Sequence, residues 1–262
     1  MKSETLQKIK KQLRNVFAVV FVMAVVTACT TPTGNVTPEV VDYTEQVNPT
    51  PPIVSSVLID ISTSTVDKIN VPDSAQLMEL YDMVSDNPAN VISLGNIGYP
   101  VSSDKQFIRF SKLEIPLKNV NNGTMTQRKN AMEFNSKAKY VNEKKRCQFI
   151  QTFNSMSAKN EEETDINTAL QRAIRFFNEP TFKNHKKVLI LISDGYQYTK
   201  TSREINVDFA SLTDIHVILV GWKISTAGFK NLPPSKISVF EGFYNVPEYI
   251  SNILKPNHYA SK

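Results

Sequence analysis

Cysteine, histidine, tryptophan and long apolar runs are all scarce in this chain of 262 residues. With only Cys29 and Cys147 present, the fold must be stabilised by a hydrophobic core rather than by a disulfide framework. We expect Cys147, within a helical pattern, to be a small buried side chain. The three histidines have no metal-ligand spacing, and the common hydrolase-elbow, phosphate-loop and dinucleotide motifs are absent.

The longest uncharged apolar run is short. It covers the 11 residues Val16–Val26, whereas a membrane-spanning helix needs about 20. The preceding segment carries five basic residues against a single acid, Glu4. A basic region followed by a short apolar region predicts a secretory signal peptide over residues 1–28.

The apolar run closes on the letters VTAC, from Val26 to Cys29. This stretch resembles the bacterial lipobox, in which the signal is cut before the cysteine and the cysteine is acylated. The resemblance implies an exported lipoprotein of the bacterial cell envelope, held in the membrane through lipidated Cys29, with palmitate among the acyl groups. In such lipoproteins, a residue like Thr30 rather than an acid after the cysteine favours the outer membrane. An ordinary signal, or an uncleaved anchor with a chance cysteine, is the alternative.

Charge indicates little about partners. The formal net charge is +5, and removing residues 1–28 leaves +1, so we expect no nucleic-acid partner. After Cys29, residues Thr30–Val54 contain five prolines, and no helical or strand periodicity is sustained there. We therefore expect a flexible tether over residues 29–54 and one globular domain over residues 55–262.

Short apolar runs alternate with helical patterns along the domain. The three strongest runs, Val57–Ile59, Val188–Ile192 and Val217–Val220, are continuous and rich in β-branched residues, as in parallel strands covered on both faces. This alternation predicts an α/β fold of three layers, with a mostly parallel central sheet and helices on both faces. Weaker strand patterns lie at residues 90–96, 106–117 and 237–241, and helical patterns lie at 73–88, 125–156 (broken by Lys144 and Lys145), 165–180 and 246–254.

Acids follow two of the three strongest strands, Asp60 after the first and Asp194 after the second. Because ligands bind beyond the carboxyl ends of such strands, we expect the two carboxylates to converge. Ser62 and Ser64 follow Asp60 at alternate positions, and Thr164 opens a helical pattern. Taken separately, these residues also fit a turn, a helix N-cap and an Asp-Gly turn pair.

Together, the three stretches resemble the von Willebrand factor A domain with its metal-ion-dependent adhesion site. That site has an Asp-x-Ser-x-Ser motif, a distant Thr and a later Asp, which here correspond to Asp60, Ser62, Ser64, Thr164 and Asp194. The resemblance spans about residues 54–254 and implies a three-layer, Rossmann-like fold. It also implies that these five residues bind a divalent ion, Mg²⁺ by preference, with Mn²⁺ and Ca²⁺ as alternatives. Oxygen ligands of this kind suit Mg²⁺.

The sequence departs from the family pattern before Thr164. The family often has glycines there, whereas this chain has three acids, Glu161, Glu162 and Glu163. These acids would attract a cation or repel an acidic partner. The loop over residues 119–163 is also long for this position, which makes the placement of Thr164 the least secure part of the site.

The sequence thus predicts a membrane-anchored lipoprotein that binds a protein partner through a metal ion, the partner donating an acidic side chain. We expect no catalytic residues and no small-molecule cofactor. One alternative is a metal-assisted hydrolase that uses the same carboxylates, although no histidine or lysine base accompanies them in the motif loops. Another is a structural component of the envelope in which the metal site is incidental.

Overall fold

The main sheet has six strands in the order β3-β2-β1-β4-β6-β8, and every neighbouring pair is parallel except β2 and β3. The computed structural model describes residues 51–60, 71–98, 107–157, 163–199 and 202–254. A second sheet pairs two short strands, β5 and β7. The strands are β1 (Ile53–Ile59), β2 (Val91–Asn96), β3 (Phe107–Ser111), β4 (Lys186–Ile192), β5 (Val207–Asp208), β6 (Ile215–Val220), β7 (Phe229–Lys230) and β8 (Ile237–Phe240).

Continuous apolar runs form the centre of this sheet, as predicted. All seven residues of β1 are buried, and Val57 lies opposite Leu94 of β2 and Ile190 of β4. Strands β4 and β6 are also buried almost throughout. Burial on both faces explains why these strands do not alternate between apolar and polar residues.

Helices cover both faces of the sheet. Leu77, Phe149 and Ile250, from three different helices, share one core cluster with alternate sheet residues, while Leu170 of a fourth helix belongs to the cluster on the opposite face. The predicted three-layer α/β fold is therefore confirmed. The helices are α1 (Ser74–Ser85), α2 (Met125–Ser157), α3 (Ile166–Phe177) and α4 (Val246–Leu254), with short 3-10 turns at Pro180–Phe182, Pro234–Lys236 and Phe243–Asn245.

Helix α2 corrects two expectations. It runs for 33 residues without interruption through Lys144 and Lys145, and most of the expected long loop over residues 119–163 is this helix. Lys144 is exposed, and Lys145 is partly buried with its ammonium group donating to the Lys112 carbonyl, so neither charge interrupts the helix. Cys147 is only partly buried, contrary to the expectation of a buried side chain. Within the described ranges, no helix combines the length and apolarity needed to cross a membrane.

Two asparagines hold an extended segment against the first half of α2. Asn135 pairs its amide with both backbone groups of Lys118, at 2.7 and 2.8 Å, and Asn142 does the same with Ile115, at 2.8 and 3.1 Å. Seven helical residues rise about 10.5 Å, and three extended residues span about 10 Å, so the two spacings match. The segment is thus fixed along a helix face that buries few apolar side chains.

Candidate metal site

Asp60 and Asp194 lie at the carboxyl ends of neighbouring strands, as the sequence predicted. Ile59 of β1 is in register with Ile192 of β4, and the Asp60 backbone N–H donates to the Ile192 carbonyl at 2.8 Å. Asp194 follows two residues after Ile192. Both carboxylates are buried, with Asp60 2% and Asp194 6% exposed. The central strands therefore bring the two acids to one edge of the sheet.

Ser193 links the Asp60 side chain to the loop that carries Asp194. Its hydroxyl donates to Oδ2 of Asp60 at 2.8 Å and accepts from the backbone N–H of Gly195 at 3.0 Å. The same loop directs its next N–H, that of Tyr196, to Oδ1 of Asp194 at 3.1 Å. Sequence reasoning did not identify Ser193. The available signal was its position: Ser193 is one residue beyond Ile192, as Asp60 is one residue beyond Ile59, so in paired parallel strands the two side chains lie on the same face of the sheet.

Gly195 is required by the turn that carries Asp194. Its φ is +89°, in the region that favours glycine. A Cβ atom there would lie 2.8 Å from the Trp222 ring and 2.9 Å from the Ile224 side chain. The turn is therefore packed directly against the loop after β6.

Thr164 reaches the same edge through isolated backbone bridges. It pairs antiparallel with Gly98 on one side and Tyr198 on the other. Its N–H donates to the Tyr198 carbonyl at 2.8 Å, and the Tyr198 N–H donates to the Thr164 carbonyl at 2.9 Å. Thr164 is 3% exposed. Gly98 directly follows Ile97, whose N–H donates to the Ile59 carbonyl at 2.9 Å. Thr164 therefore lies between the loops after β2 and β4, beside the strand that carries Asp60.

The start of α3 is fixed by a side chain from the loop after β4. Oε1 of Gln197 accepts the N–H groups of Ile166 and Asn167 at 2.7 and 3.3 Å, and its Nε2 donates to Asp165 Oδ1 at 3.3 Å. Asp165, not Thr164, is the N-cap of the helix, because its side chain accepts from the N–H of Thr168. Gln197 is 5% exposed, and nothing in the sequence marked it for this role.

Ser62 and Ser64 lie outside the described residues, as do Glu161 and Glu162, and their predicted roles stay predictions. Glu163 is described; it directly precedes Thr164 and is partly buried. The structure thus brings together three of the five predicted ligands, Asp60, Thr164 and Asp194.

The three described candidate ligands are of types that suit a hard divalent cation. They comprise two carboxylates and one hydroxyl, all oxygen donors of the kind that Mg²⁺ and Mn²⁺ take. Within residues 51–60, 71–98, 107–157, 163–199 and 202–254, no lysine, arginine or histidine forms an ion pair with Asp194, although this carboxylate is buried. A buried carboxylate without a cationic partner is costly, and a bound cation would remove that cost. The same part of the chain contains no cluster of three or more His, Cys, Asp or Glu side chains that could hold a metal, so a site here depends on hydroxyl ligands.

The family comparison agrees with this geometry. The model of the von Willebrand factor type A (VWA) domain family matches residues 110–236. Residues 110–236 are thus similar to a VWA domain. The matched residues include Thr164 and Asp194, whereas Asp60, Ser62 and Ser64 precede them.

Solved structures of low sequence identity overlap 78% of the chain. They include a von Willebrand factor type A protein from Catenulispora acidiphila (11% identity, TM-score 0.37) and, in an open conformation, the pilus adhesin SpaC from Lactobacillus rhamnosus GG (11%, 0.41). A manganese-loaded TRAP protein from Plasmodium vivax gives 12% identity and a TM-score of 0.42. The overlap covers 42%, 30% and 74% of those chains, so it spans less than half of the first two. No curated protein sequence matches the chain.

Proposed function

We propose that the chain carries a VWA domain and that this domain binds a protein partner through a divalent cation, Mg²⁺ by preference, held by Asp60, Ser62, Ser64, Thr164 and Asp194. The observation that supports this most is the buried pair Asp60 and Asp194, which Ser193 connects at the end of the central strands. When bound, the cation would supply an electrophilic centre that accepts an oxygen ligand from outside the domain.

The chain's own residues would prepare the site. Ser193 orients the Asp60 carboxylate, and the Tyr196 N–H orients that of Asp194. The bridges at Thr164 hold its loop against both neighbouring strand ends. Three neutral hydroxyls and only two carboxylates would leave the ion electrophilic enough to take a further oxygen ligand. A Glu or Asp of the partner is therefore the expected further ligand.

The rim beside the site would supply the contacts that set specificity. Tyr196 and Tyr198 are 56% and 53% exposed, although they flank the buried Gln197. The Arg203 guanidinium lies 5.5 Å from the centre of the Tyr198 ring. Exposed tyrosines and an arginine are residue types enriched where proteins bind one another.

Calorimetry with Mg²⁺ and Mn²⁺ tests the metal site directly. The wild-type chain should bind both ions, and Asp60→Ala and Asp194→Ala should each abolish measurable binding. Glu133→Ala is the matched control, because Glu133 is an exposed acid on α2. Failure of both ions to bind the wild type would refute the metal site.

The open coordination position needs a second measurement. With Mn²⁺ bound, relaxation of water protons should show exchanging water, and a short peptide that contains one glutamate should reduce that signal. The same peptide with glutamine in place of glutamate should leave the signal unchanged. Equal effects of the two peptides would contradict the proposed role of a partner carboxylate.

We also propose that the chain is an exported bacterial lipoprotein anchored through Cys29, in the outer membrane. The support is the basic segment, the short apolar run and the VTAC sequence at residues 26–29. Expressed in a bacterium, the wild type should incorporate labelled palmitate and sediment with membranes, whereas Cys29→Ser should do neither. Cys147→Ser is the matched control, and unchanged fractionation of Cys29→Ser would exclude the lipid anchor.

A further inference from the structure

A groove lies beside the antiparallel edge of the main sheet. Strand β3 stands at the end of the strand order and, among the described residues, pairs only with β2. The outer edge of such a strand presents backbone N–H and C=O groups that an added strand can pair with. The edge is therefore a place where an extended peptide can dock.

The groove between β3 and α3 is basic and has aromatic walls. Its cavity volume is about 330 Å³, near the lower end of the range for ligand pockets. Three guanidinium groups and one carboxylate line it. The lining residues are Phe107, Arg109, Arg172, Arg175, Phe176 and Glu179.

Arg109 forms a fixed wall of this groove. Its guanidinium lies 4.9 Å from the ring centre of Phe176 and 5.5 Å from that of Phe182, and it forms an ion pair with Glu179. Stacking and ion pairing together restrict the side chain.

Arg172 and Arg175 come from the neighbouring helix. They are three residues apart on α3, so they lie on one face of the helix. Arg172 is partly buried and Arg175 is exposed. Guanidinium groups bind carboxylates in a bidentate manner, which gives this face a preference for acidic side chains.

We propose that this groove binds an extended acidic peptide of a partner protein, which adds to β3 as a further strand. Side chains alternate along a strand, and Phe107 packs on the α3 side of the sheet. An added strand would direct every second side chain to that same side. Glutamates at those positions would meet Arg172 and Arg175. No residue of the candidate metal site takes part, so the inference does not depend on the proposed function.

The test uses the full chain and a fluorescein-labelled heptapeptide that alternates glutamate and valine, read by fluorescence anisotropy. EDTA is present throughout, so that a cation site cannot contribute. The wild type should bind, and Arg172→Gln/Arg175→Gln should weaken binding by about tenfold or more, because the variant removes two groups that make charge-assisted hydrogen bonds. The control Lys129→Gln/Lys137→Gln removes two exposed charges of α2 and should change affinity less than about twofold.

Two further probes separate the parts of the proposal. Peptides N-methylated on alternate amides test strand addition, and methylation of one alternate set should abolish binding while the other set is tolerated. Inorganic phosphate and sulfate test for a simple anion site. The proposal is overturned if the wild type ignores the peptide, if glutamine in place of glutamate binds equally well, if both N-methylated peptides bind like the parent, or if phosphate competes as strongly as the peptide.

Discussion

The candidate site has two halves that are held in different ways. Asp60, Ser193 and Asp194 follow directly from buried strands that pair along their whole length. Thr164 instead depends on two isolated bridges and on the side chain of Gln197. The first half is fixed by the core of the sheet, whereas the second half depends on a few individual hydrogen bonds between loops.

This difference affects how each half responds to substitution. At the strand ends, the backbone is already ordered by the sheet, so a lost side-chain contact should alter the orientation of a ligand more than the fold. At the start of α3, the same loss should free a loop, because few other contacts hold it. Three substitutions test this contrast, from the largest expected effect to the smallest, and a fourth provides a comparison away from the site.

Gly195→Ala should cause the largest loss of stability. The φ of +89° and the contact of a new Cβ with Trp222 at 2.8 Å together should lower the free energy of unfolding by about 2–5 kcal/mol. Urea unfolding measures this loss of stability. Gly123→Ala is a close control, since its φ is +91° but its new Cβ meets only the flexible Gln127 side chain. Equal losses in the two variants would exclude packing against Trp222 as the cause.

Gln197→Ala should release the start of α3. Two backbone N–H groups would lose a buried acceptor, which should cost about 1–3 kcal/mol of stability. We expect Mg²⁺ affinity to fall as well, because Thr164 lies on this loop. Asp73→Ala removes the N-cap of α1 and should cost about 1 kcal/mol without changing Mg²⁺ affinity. Wild-type Mg²⁺ affinity in Gln197→Ala would show that Gln197 does not position Thr164.

Ser193→Ala should affect metal affinity more than stability. Loss of the bond to Asp60 should weaken Mg²⁺ binding by about 10–100-fold, the usual effect of losing a group that orients a ligand. The free energy of unfolding should fall by about 1–2 kcal/mol. Calorimetry and urea unfolding on the same samples separate the two effects. Ser85→Ala, which also removes a buried hydroxyl, should leave Mg²⁺ affinity unchanged, and a similar loss in both variants would count against a specific role for Ser193.

His216→Gln should have the smallest effect on stability, and one that changes with pH only in acid. Burial and the neighbouring Lys236, opposed by Asp214, hold the pKa of His216 below its ordinary value of 6.5. The folded state therefore binds this proton less readily than the unfolded state, and stability falls as the pH drops from about 6.5 through the folded pKa. Urea unfolding should give the same difference between wild type and variant at any pH above about 7.5, and the wild type should lose more stability toward pH 5. Parallel curves would exclude this contribution.

The residues that could be predicted lie where local pattern and buried packing agree. The apolar runs before Asp60 and Asp194 are continuous, and the structure places both runs as central parallel strands. The predicted break in α2 at Lys144 and Lys145 is wrong, because the charged pair interrupts the apolar pattern but neither side chain is fully buried. The spacing of apolar residues in a sequence reflects which side chains are buried, and exposed helical residues contribute little to that spacing.

The sequence by itself determined the parallel sheet and the common edge for Asp60 and Asp194, because strands buried on both faces leave a continuous apolar record. Only the tertiary structure decided that Ser193 joins these acids and that Gln197 holds the start of α3, because each contact joins side chains to groups far away in the chain. The basic groove also exists only in the folded chain. Arg109 and Arg172 come from a strand and a helix that only the folded chain brings together.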